Sequence, residues 1–400
     1  MTREEFIHKA LTVGIGLPLL PSLLSSCTDV TIQEPDFEIN FSGKVLIVGA
    51  GAAGITAGYL LHRNNIDFEI IEAASDFGGR MKRAPDFADF PIDLGAEWIH
   101  DDPSILAELL SDPSLDVEID LITYNPQTAR TWKNGKLRKQ NWISNYYSEY
   151  KFKSTTWFGF FERFMIPLIA NRISYNQPVN QIDYSGDTVS VRTASAEFTG
   201  DRVLLTVPIK ILQENSIAFT PSLPANKVSA INQVKMGDGI KVFIEFSERF
   251  YPDILLFGGV IQALISEGRT YYDAAFRKDS SRNVLGLFAI NEHAAEFTNL
   301  ADDQAIIDHV LRELDEIFDG KASATYMKHI IQNWSKEPYI QGSYSTDFDG
   351  NRSNIMNNIA APLDQKIYFA GEVLSDENQA TVHGASQSSY EAVRNILRDR

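Results

Sequence analysis

The sequence predicts an α/β fold of two domains. Three observations carry that prediction: an apolar strand that runs into a glycine turn and a small-residue helix, an acid at the end of the following strand, and a length of 400 residues, which exceeds one small core. The first is Lys44-Val-Leu-Ile-Val-Gly-Ala-Gly-Ala-Ala-Gly-Ile-Thr-Ala-Gly-Tyr-Leu-Leu61, which reads as a nucleotide cradle. Gly49 permits the tight turn, Gly51 lets backbone N–H groups approach a pyrophosphate, and Gly54 lets the helix pack close to the sheet. The N-terminus of that helix, with Ala53 in its first turn, turns a positive dipole end towards the phosphates. The second strand, Asp67-Phe-Glu-Ile-Ile-Glu72, ends on a carboxylate able to accept both hydroxyls of an adenosine ribose.

Ala73-Ala-Ser-Asp-Phe-Gly-Gly-Arg-Met81 continues the phosphate site with a second glycine pair and an arginine, a run that nicotinamide folds seldom carry. Gly79 and Arg80 bring backbone and guanidinium to the flavin-side phosphate of FAD, which a planar Arg fork suits better than Lys. With these segments the chain resembles the flavin-containing amine oxidase family, which includes monoamine and polyamine oxidases. The resemblance covers residues 43–400 with gaps, and implies an FAD-binding Rossmann-like domain of the glutathione-reductase type and a second, mixed α+β substrate domain. The expected division is a signal segment at 1–26, a tether at 27–42, a discontinuous FAD-binding domain at 43–100, 175–225 and 355–400, and a substrate domain at 101–174 and 226–354.

A net charge of −17 argues against nucleic acid or an anionic membrane surface as partner and favours cationic small molecules. The single cysteine, Cys27, excludes an internal disulfide and a Cys-based metal site, and no His/carboxylate cluster stands at ligand spacing, so no metal is expected. Ala10-Leu-Thr-Val-Gly-Ile-Gly-Leu-Pro-Leu-Leu-Pro-Ser-Leu-Leu24 has the form of a secretory signal, too short for a stable transmembrane helix. Leu24-Ser-Ser-Cys27 resembles the bacterial lipoprotein box, which implies export to the periplasm or outer surface with lipid on Cys27. Arg3-Glu-Glu-Phe-Ile-His-Lys9 resembles a degenerate twin-arginine signal with Glu4 in place of the second Arg, so the export route stays open. The alternative is an apolar tail on a cytoplasmic enzyme.

Further along, Phe90-Pro-Ile-Asp-Leu-Gly-Ala-Glu-Trp-Ile-His100 resembles the family segment whose backbone passes along the flavin ring. That resemblance puts Gly95, Ala96, Glu97 and Trp98 among the cofactor-binding residues, with Gly95 and Ala96 small to allow the approach. Read without the family, Trp98 is core and His100 a solvated loop histidine. Aromatic residues crowd Trp142, Tyr146, Tyr147, Tyr150, Phe152, Trp157, Phe158, Phe160, Phe161 and Phe164. In the family this region is the helical wall of the substrate site; the alternative is an ordinary aromatic core. Ile173 to Asp183 resembles the family's return to the FAD domain, with Val179 meeting the adenine. Strands are expected at Thr188–Arg192 and at Asp201–Pro208, with Pro208 closing the second, and then at Ile240–Phe246, Val284–Ile290 and Thr325–Ile331. An amphipathic helix is expected through Ile307, Val310, Leu311, Leu314 and Phe318, with Gly320 just past its end.

The catalytic residues implied by the resemblance are Lys241, Trp334 and Tyr344. Val234-Lys-Met-Gly-Asp-Gly-Ile-Lys-Val-Phe-Ile-Glu-Phe246 resembles the segment whose lysine holds a water against flavin N5; otherwise Lys241 is an exposed strand lysine. Trp334-Ser-Lys-Glu-Pro-Tyr-Ile-Gln-Gly-Ser-Tyr344 resembles the segment whose tyrosine is one wall of an aromatic cage. Ser343 stands where monoamine oxidases bond the flavin through cysteine, so FAD is expected to be non-covalent. Gln365-Lys-Ile-Tyr-Phe-Ala-Gly-Glu372 resembles the closing FAD motif, with Gly371 and Glu372 at the ribityl and pyrophosphate. Thr381 and Val382 then open the helix under the flavin's pyrimidine end, where its dipole stabilises negative charge. The second cage tyrosine falls on Thr381, leaving a half-cage, and the usual Ser-Gly of this helix is Ser388-Ser389. The expected reaction converts an amine to an imine with O2 as acceptor and H2O2 released. The rivals are a dehydrogenase, desaturase or isomerase on the same scaffold, or a lipid-anchored flavin-binding protein without turnover.

Overall fold

A computed structural model describes residues 35–140, 148–258 and 268–399. The segment 1–34 with Cys27, and Trp142, Tyr146 and Tyr147, lie outside the described residues. Strand Lys44–Val48 sits in the middle of a five-stranded parallel sheet, with Asp67–Ile71 and Ile173–Ser174 on one side and Arg202–Leu205 and Ile367–Phe369 on the other. Both faces are covered, which is why its sequence is a continuous apolar run rather than an alternating one. The chain leaves this strand to build first one side of the sheet and then the other, so a crevice opens beyond its C-terminal end.

Helix Ala52–Arg63 and the C-terminal helix Val382–Arg398 lie against one another on this sheet, and two hydroxyl contacts join them. Ser389 Oγ donates to the Ala53 carbonyl at 2.8 Å, and Thr56 Oγ1 to Ser386 Oγ at 3.0 Å. Ser389, which stands where the family usually has Gly, therefore anchors the phosphate helix. The described end of the expected tether is docked rather than free. Phe37 is buried in the core, and the Asn40 amide donates to Leu397 O at 2.7 Å. Phe41 lies under the Arg202 guanidinium at 4.1 Å, and that group donates to the carbonyls of Ile396 and Asp399.

Strand Ile173–Ser174 forms the edge of the nucleotide sheet, as the resemblance over Ile173–Asp183 implies, although the expected division left it at the end of 101–174. The aromatic block before it belongs to the same core. Trp157, Phe160 and Phe161 in helix Trp157–Phe164 are fully buried and pack with Ile47, Tyr59 and Phe68. The core reading therefore holds for them, and Phe158 is the member of that helix's aromatic set that reaches the cleft. A four-stranded sheet (Glu197–Gly200, Val189–Thr193, Val179–Asp183, Ala218–Thr220) completes the module. Pro208 does not close a strand: the preceding one ends at Leu205, and Pro208 is the N-cap of helix Ile209–Gln213. Helix Ala225–Asn232 also joins this core, through Ala230 and Ile231.

The second domain is a mixed seven-stranded sheet in the order Tyr326–Asn333, Gly239–Phe246, Asn283–Ile290, Arg269–Asp273, Ile254–Phe257, Ala129–Lys133, Lys136–Lys139. Helix Asp303–Phe318 covers one face with Ile307, Val310, Leu314 and Phe318, capped by Asp302, whose carboxylate accepts from the Ala305 amide. Asp319 and Gly320, both left-handed, end it where the glycine was expected to. The opposite face packs on Phe87, Phe90, Ile92 and Leu94 from the N-terminal half of the chain. That contact carries residues 90–100 between the two domains.

Candidate active site

A continuous cleft of 1410 Å³ runs from the crevice of the nucleotide sheet to the second domain's sheet. At its first end the turn after Lys44–Val48 is braced from beneath. Thr206 Oγ1 donates to the carbonyls of Val48 and Gly49, and Gly49 has a φ of +107°, which a side chain would strain. A Cβ on Gly54 would lie 1.9 Å from Gly49 O, so this glycine is required by helix-to-turn packing. Gly51 and Gly371 differ: a Cβ on either meets nothing within 4 Å, and both line the cleft. Helix Ala52–Arg63 has no side-chain cap at its N-terminus, leaving first-turn amides to face an anion. This bare backbone cradle, open at two glycines and closed behind by a third, fits a dinucleotide pyrophosphate.

The acids around the cradle are already engaged. Glu72 accepts from the amides of Ala50, at 2.5 Å, and Ala74, at 2.8 Å, fixing the carboxylate at the strand end with lone pairs to spare for ribose hydroxyls. Burial pushes its carboxyl above the usual range, and the two amides pull it partly back. Glu372 takes Arg80 at 3.1 Å, the Ser345 amide and hydroxyl, and the Ala380 amide. Its carboxylate therefore ties Arg80 to the C-terminal segment, and Gly371 beside it lines the cleft. Arg80 donates also to Ser343 O at 2.8 Å. Val179 lines the cleft. Thr381 caps the C-terminal helix, accepting from the Gly384 amide at 2.9 Å and donating to Asn378 O, while Val382 follows it on the cleft wall.

The Gly95 segment departs from expectation in its cause. A Cβ on Gly95 would lie 1.8 Å from Arg80 O and 3.0 Å from the Trp334 ring, so Gly95 is small because the chain packs on itself. Trp334 is buried and donates its indole N–H to Leu94 O at 3.0 Å, pressing this segment into place. Glu97, expected against the cofactor, is the centre of a buried charge network. Its Oε2 takes Lys241 Nζ at 2.6 Å and the Tyr272 hydroxyl, and its Oε1 pairs with Lys151 Nζ at 2.5 Å. Lys241 is 3% exposed, which removes the exposed-strand alternative. It also donates to Asp93 O at 3.1 Å and lines the cleft. Tyr344 and Ala96 line the same space, beside an apolar wall of Ile254, Leu256 and Phe288. Ser343 Oγ donates to Gly237 O at 3.0 Å. His100 stands at the rim, about a third exposed, with its Nδ1 3.3 Å from a Glu149 oxygen.

The profile described as flavin containing amine oxidoreductase matches residues 161–397, and that of the NAD(P)-binding Rossmann-like domain matches residues 47–112. The chain belongs to the flavin containing amine oxidoreductase family. Its cofactor is FAD. Human lysine-specific histone demethylase 2 is 24% identical over 99% of this chain and 56% of its own length. Polyamine oxidase 4 of Oryza sativa subsp. japonica is 31% identical over 55% of this chain and 44% of its own length. The chain spans about half the length of these two curated relatives. Cyclohexylamine oxidase from Brevibacterium oxydans IH-35A shares the fold with a TM-score of 0.74 at 15% identity, over 89% of this chain and 99% of that one. Putrescine oxidase bound to putrescine does so with 0.74 at 15%, over 90% and 100%.

Against the family pattern, Lys151, Tyr272, Asp93 and Glu149 are the site residues that sequence reasoning did not single out. Glu97 meets Tyr272 across 175 positions and Lys241 across 144, so no local spacing announces them. The network's protonation is set by its own charges. Burial and then the Glu97 charge push the Asp93 carboxyl up to about 8, while Lys241, Lys278 and Lys151 pull the other way. Burial opposes ionisation of Glu97, yet Lys151 and Lys241 hold it well below the usual carboxylate range. Burial, reinforced by Lys151, brings Lys278 down to about 8.

The Asp93 shift has a definite sign in stability. Between its ordinary value near 4 and about 8 the folded state binds the extra proton, so stability falls as pH rises through that window. Asp93→Asn, which keeps the backbone carbonyl that Lys241 uses, should flatten this part of the curve. Melting temperature measured from pH 4 to pH 8 for both proteins checks it: the wild-type minus variant difference should decline steadily with pH, and a constant difference refutes the buried neutral acid.

Proposed function

We propose that this enzyme oxidises the C–N bond of an amine to an imine, using O2 as electron acceptor and releasing H2O2. One observation carries the reading: the cofactor cradle opens directly onto a largely apolar chamber with a buried lysine and an aromatic wall, where Glu97, the acid at its centre among the described residues, is engaged by Lys241, Lys151 and Tyr272. Bound FAD would accept a hydride equivalent from the carbon beside nitrogen and pass the electrons to O2. The chain's residues bind, orient and exclude water. Tyr344 presents a ring to the amine, and Thr381, committed to its helix, adds no second wall. Lys241, clamped by Glu97, holds a water at a fixed place. Trp334 keeps the Gly95 segment flat along the chamber. Arg80, the amides of the helix N-terminus and Glu72 hold the dinucleotide.

An anaerobic screen of amines for bleaching of the flavin band tests the reaction, followed by readmission of air with a peroxide assay. Bleaching without peroxide would assign a dehydrogenase instead. Lys241→Met should keep FAD bound and slow reduction or reoxidation by an amount on the order of 2 to 4 kcal/mol in the barrier, the size expected for one preorganised polar group. Tyr344→Ala should act mainly on amine KM, and Glu72→Ala on FAD retention. Wild-type rates in both half-reactions for Lys241→Met would remove the lysine from the mechanism.

FAD is held without a covalent bond in this reading, since Ser343 offers no thiol and Cys27 is the sole cysteine. Acid-precipitated protein should then be colourless, and yellow retained in a washed pellet contradicts it.

The same reading extends to location. Leu24-Ser-Ser-Cys27 after a short apolar run supports export with lipid attached to Cys27, followed by a chain that docks at Phe37. Mass spectrometry of membrane-extracted protein decides this, and a chain that begins at unmodified Met1 rules it out.

A further inference from the structure

Lys151 lies in strand Glu149–Phe152 and is 2% exposed. Its ammonium faces three rings, Trp98 at 4.8 Å, Tyr272 at 5.1 Å and Tyr124 at 5.4 Å, and pairs with Glu97 Oε1. Three aromatic faces and a carboxylate are what a protein assembles to receive an organic ammonium ion. Two of those rings and the carboxylate are also walls of the cleft, whereas Lys151 stands behind them. A ready-made ammonium site therefore borders the substrate chamber, and the chain's own lysine fills it.

The other carboxylates of the chamber are matched in the same way. Glu149 stands against His100 at 3.3 Å, Glu162 against Arg83 at 2.7 Å, and Glu337 against Lys82 at 2.9 Å. Among the described residues at this end of the cleft, each acid has a basic partner within the chain. What remains for the far end of a substrate is Ile254, Leu256 and Phe288, which is hydrocarbon. A second ammonium carried into that space would lose its water and gain neither an aromatic box nor an unpaired carboxylate. An alkyl or alicyclic tail would gain by burial.

We propose that Lys151 is a specificity-determining internal cation: by occupying the box of Trp98, Tyr124, Tyr272 and Glu97 it restricts the enzyme to monoamines with an apolar tail and excludes diamines and polyamines. This rests on the amine oxidation proposed above and names its substrate class. Lys151 is a positioning residue in this scheme, acting through Glu97 and the two shared rings rather than by touching the reacting atoms.

The test separates binding from turnover. Holoenzyme reduced with dithionite, which cannot consume the ligand, is titrated with hexylamine and with 1,6-diaminohexane by calorimetry. Wild type should bind hexylamine at least about tenfold more tightly, the scale of one desolvated cation site gained or lost. Lys151→Met, which keeps the side chain's length and removes its charge, should bring the two affinities to within about threefold by improving the diamine, the cation site being what it vacates. Lys151→Arg should keep the wild-type ratio. Equal affinities in wild type, no binding of either amine, or an unchanged ratio in Lys151→Met overturns the proposal, and equal wild-type affinities do so even if the variants fail to fold. Selective binding of hexylamine by an oxidised holoenzyme whose flavin it does not bleach would uphold the selectivity and refute the oxidation.

Discussion

The carboxylate of Glu97 is almost wholly buried at the wall of the cleft, so its charge has to be met mainly by protein, and the groups that meet it arrive from three places. Lys151 comes from strand Glu149–Phe152, Lys241 from strand Gly239–Phe246, and Tyr272 from strand Arg269–Asp273. Glu97 itself stands beside the short strand Trp98–Ile99, on the segment that passes between the domains. Removing one partner of such a buried pair leaves an uncompensated charge at a cost of roughly 3 to 5 kcal/mol, so the four segments are held in one relative arrangement. That arrangement is also the geometry of the chamber, because Glu97, Trp98, Lys241 and Tyr272 are its walls. Fold and site are joined at this point more tightly than anywhere along the cradle.

The cradle uses the opposite device. Its ligand-facing surface is backbone, and its charged groups are occupied in bracing that backbone: Glu72 on Ala50 and Ala74, Glu372 on Arg80, Ser345 and Ala380. Amides pre-aligned in this way bind a pyrophosphate without a further loss of side-chain entropy. Arg80 reaches from the second glycine pair to Ser343 O and Glu372, which places one guanidinium between the turn, the Tyr344 segment and the closing motif. The dinucleotide site and the aromatic wall are thus set by a shared contact, which explains how three separated sequence segments act as one surface.

What could be read from the sequence follows the same division. Gly49 to Glu72 was legible because strand, turn, helix and acid are contiguous and each carries its own physical requirement. The helix Asp303–Phe318 and the strands around Lys241 were legible through their periodicity. Gly95 was legible as a necessary glycine but not for its cause, since Arg80 O, the atom that a Cβ would strike, is folded against it by contacts no spacing reveals. The aromatic run before Ile173 looked like a substrate wall because composition cannot tell a buried ring from a lining one. Lys151 was invisible: a lysine between Tyr150 and Phe152 reads as the outward residue of a strand, and only its pairing with Trp98–Ile99 and Leu121–Tyr124 turns it inward.

The burial of that lysine also bears on how an amine enters. The chain as a whole is strongly acidic and attracts cations at long range, whereas its innermost network holds two ammonium groups against one carboxylate, with Asp93 neutral below about 8. An alkylamine, with a pKa close to that of lysine, is neutral only about once in 2,500 molecules at pH 7, so reaching the chamber uncharged costs about 4.6 kcal/mol. The two fields therefore act in sequence. Under the proposed amine oxidation, the surface would raise the local concentration of the protonated amine, and the inner cations would favour the deprotonated one, whose nitrogen lone pair C–N oxidation requires. A chamber that bound the ammonium form tightly would hold its substrate in the unreactive state. The self-filled box avoids that outcome by leaving the substrate's nitrogen no ionic partner to prefer.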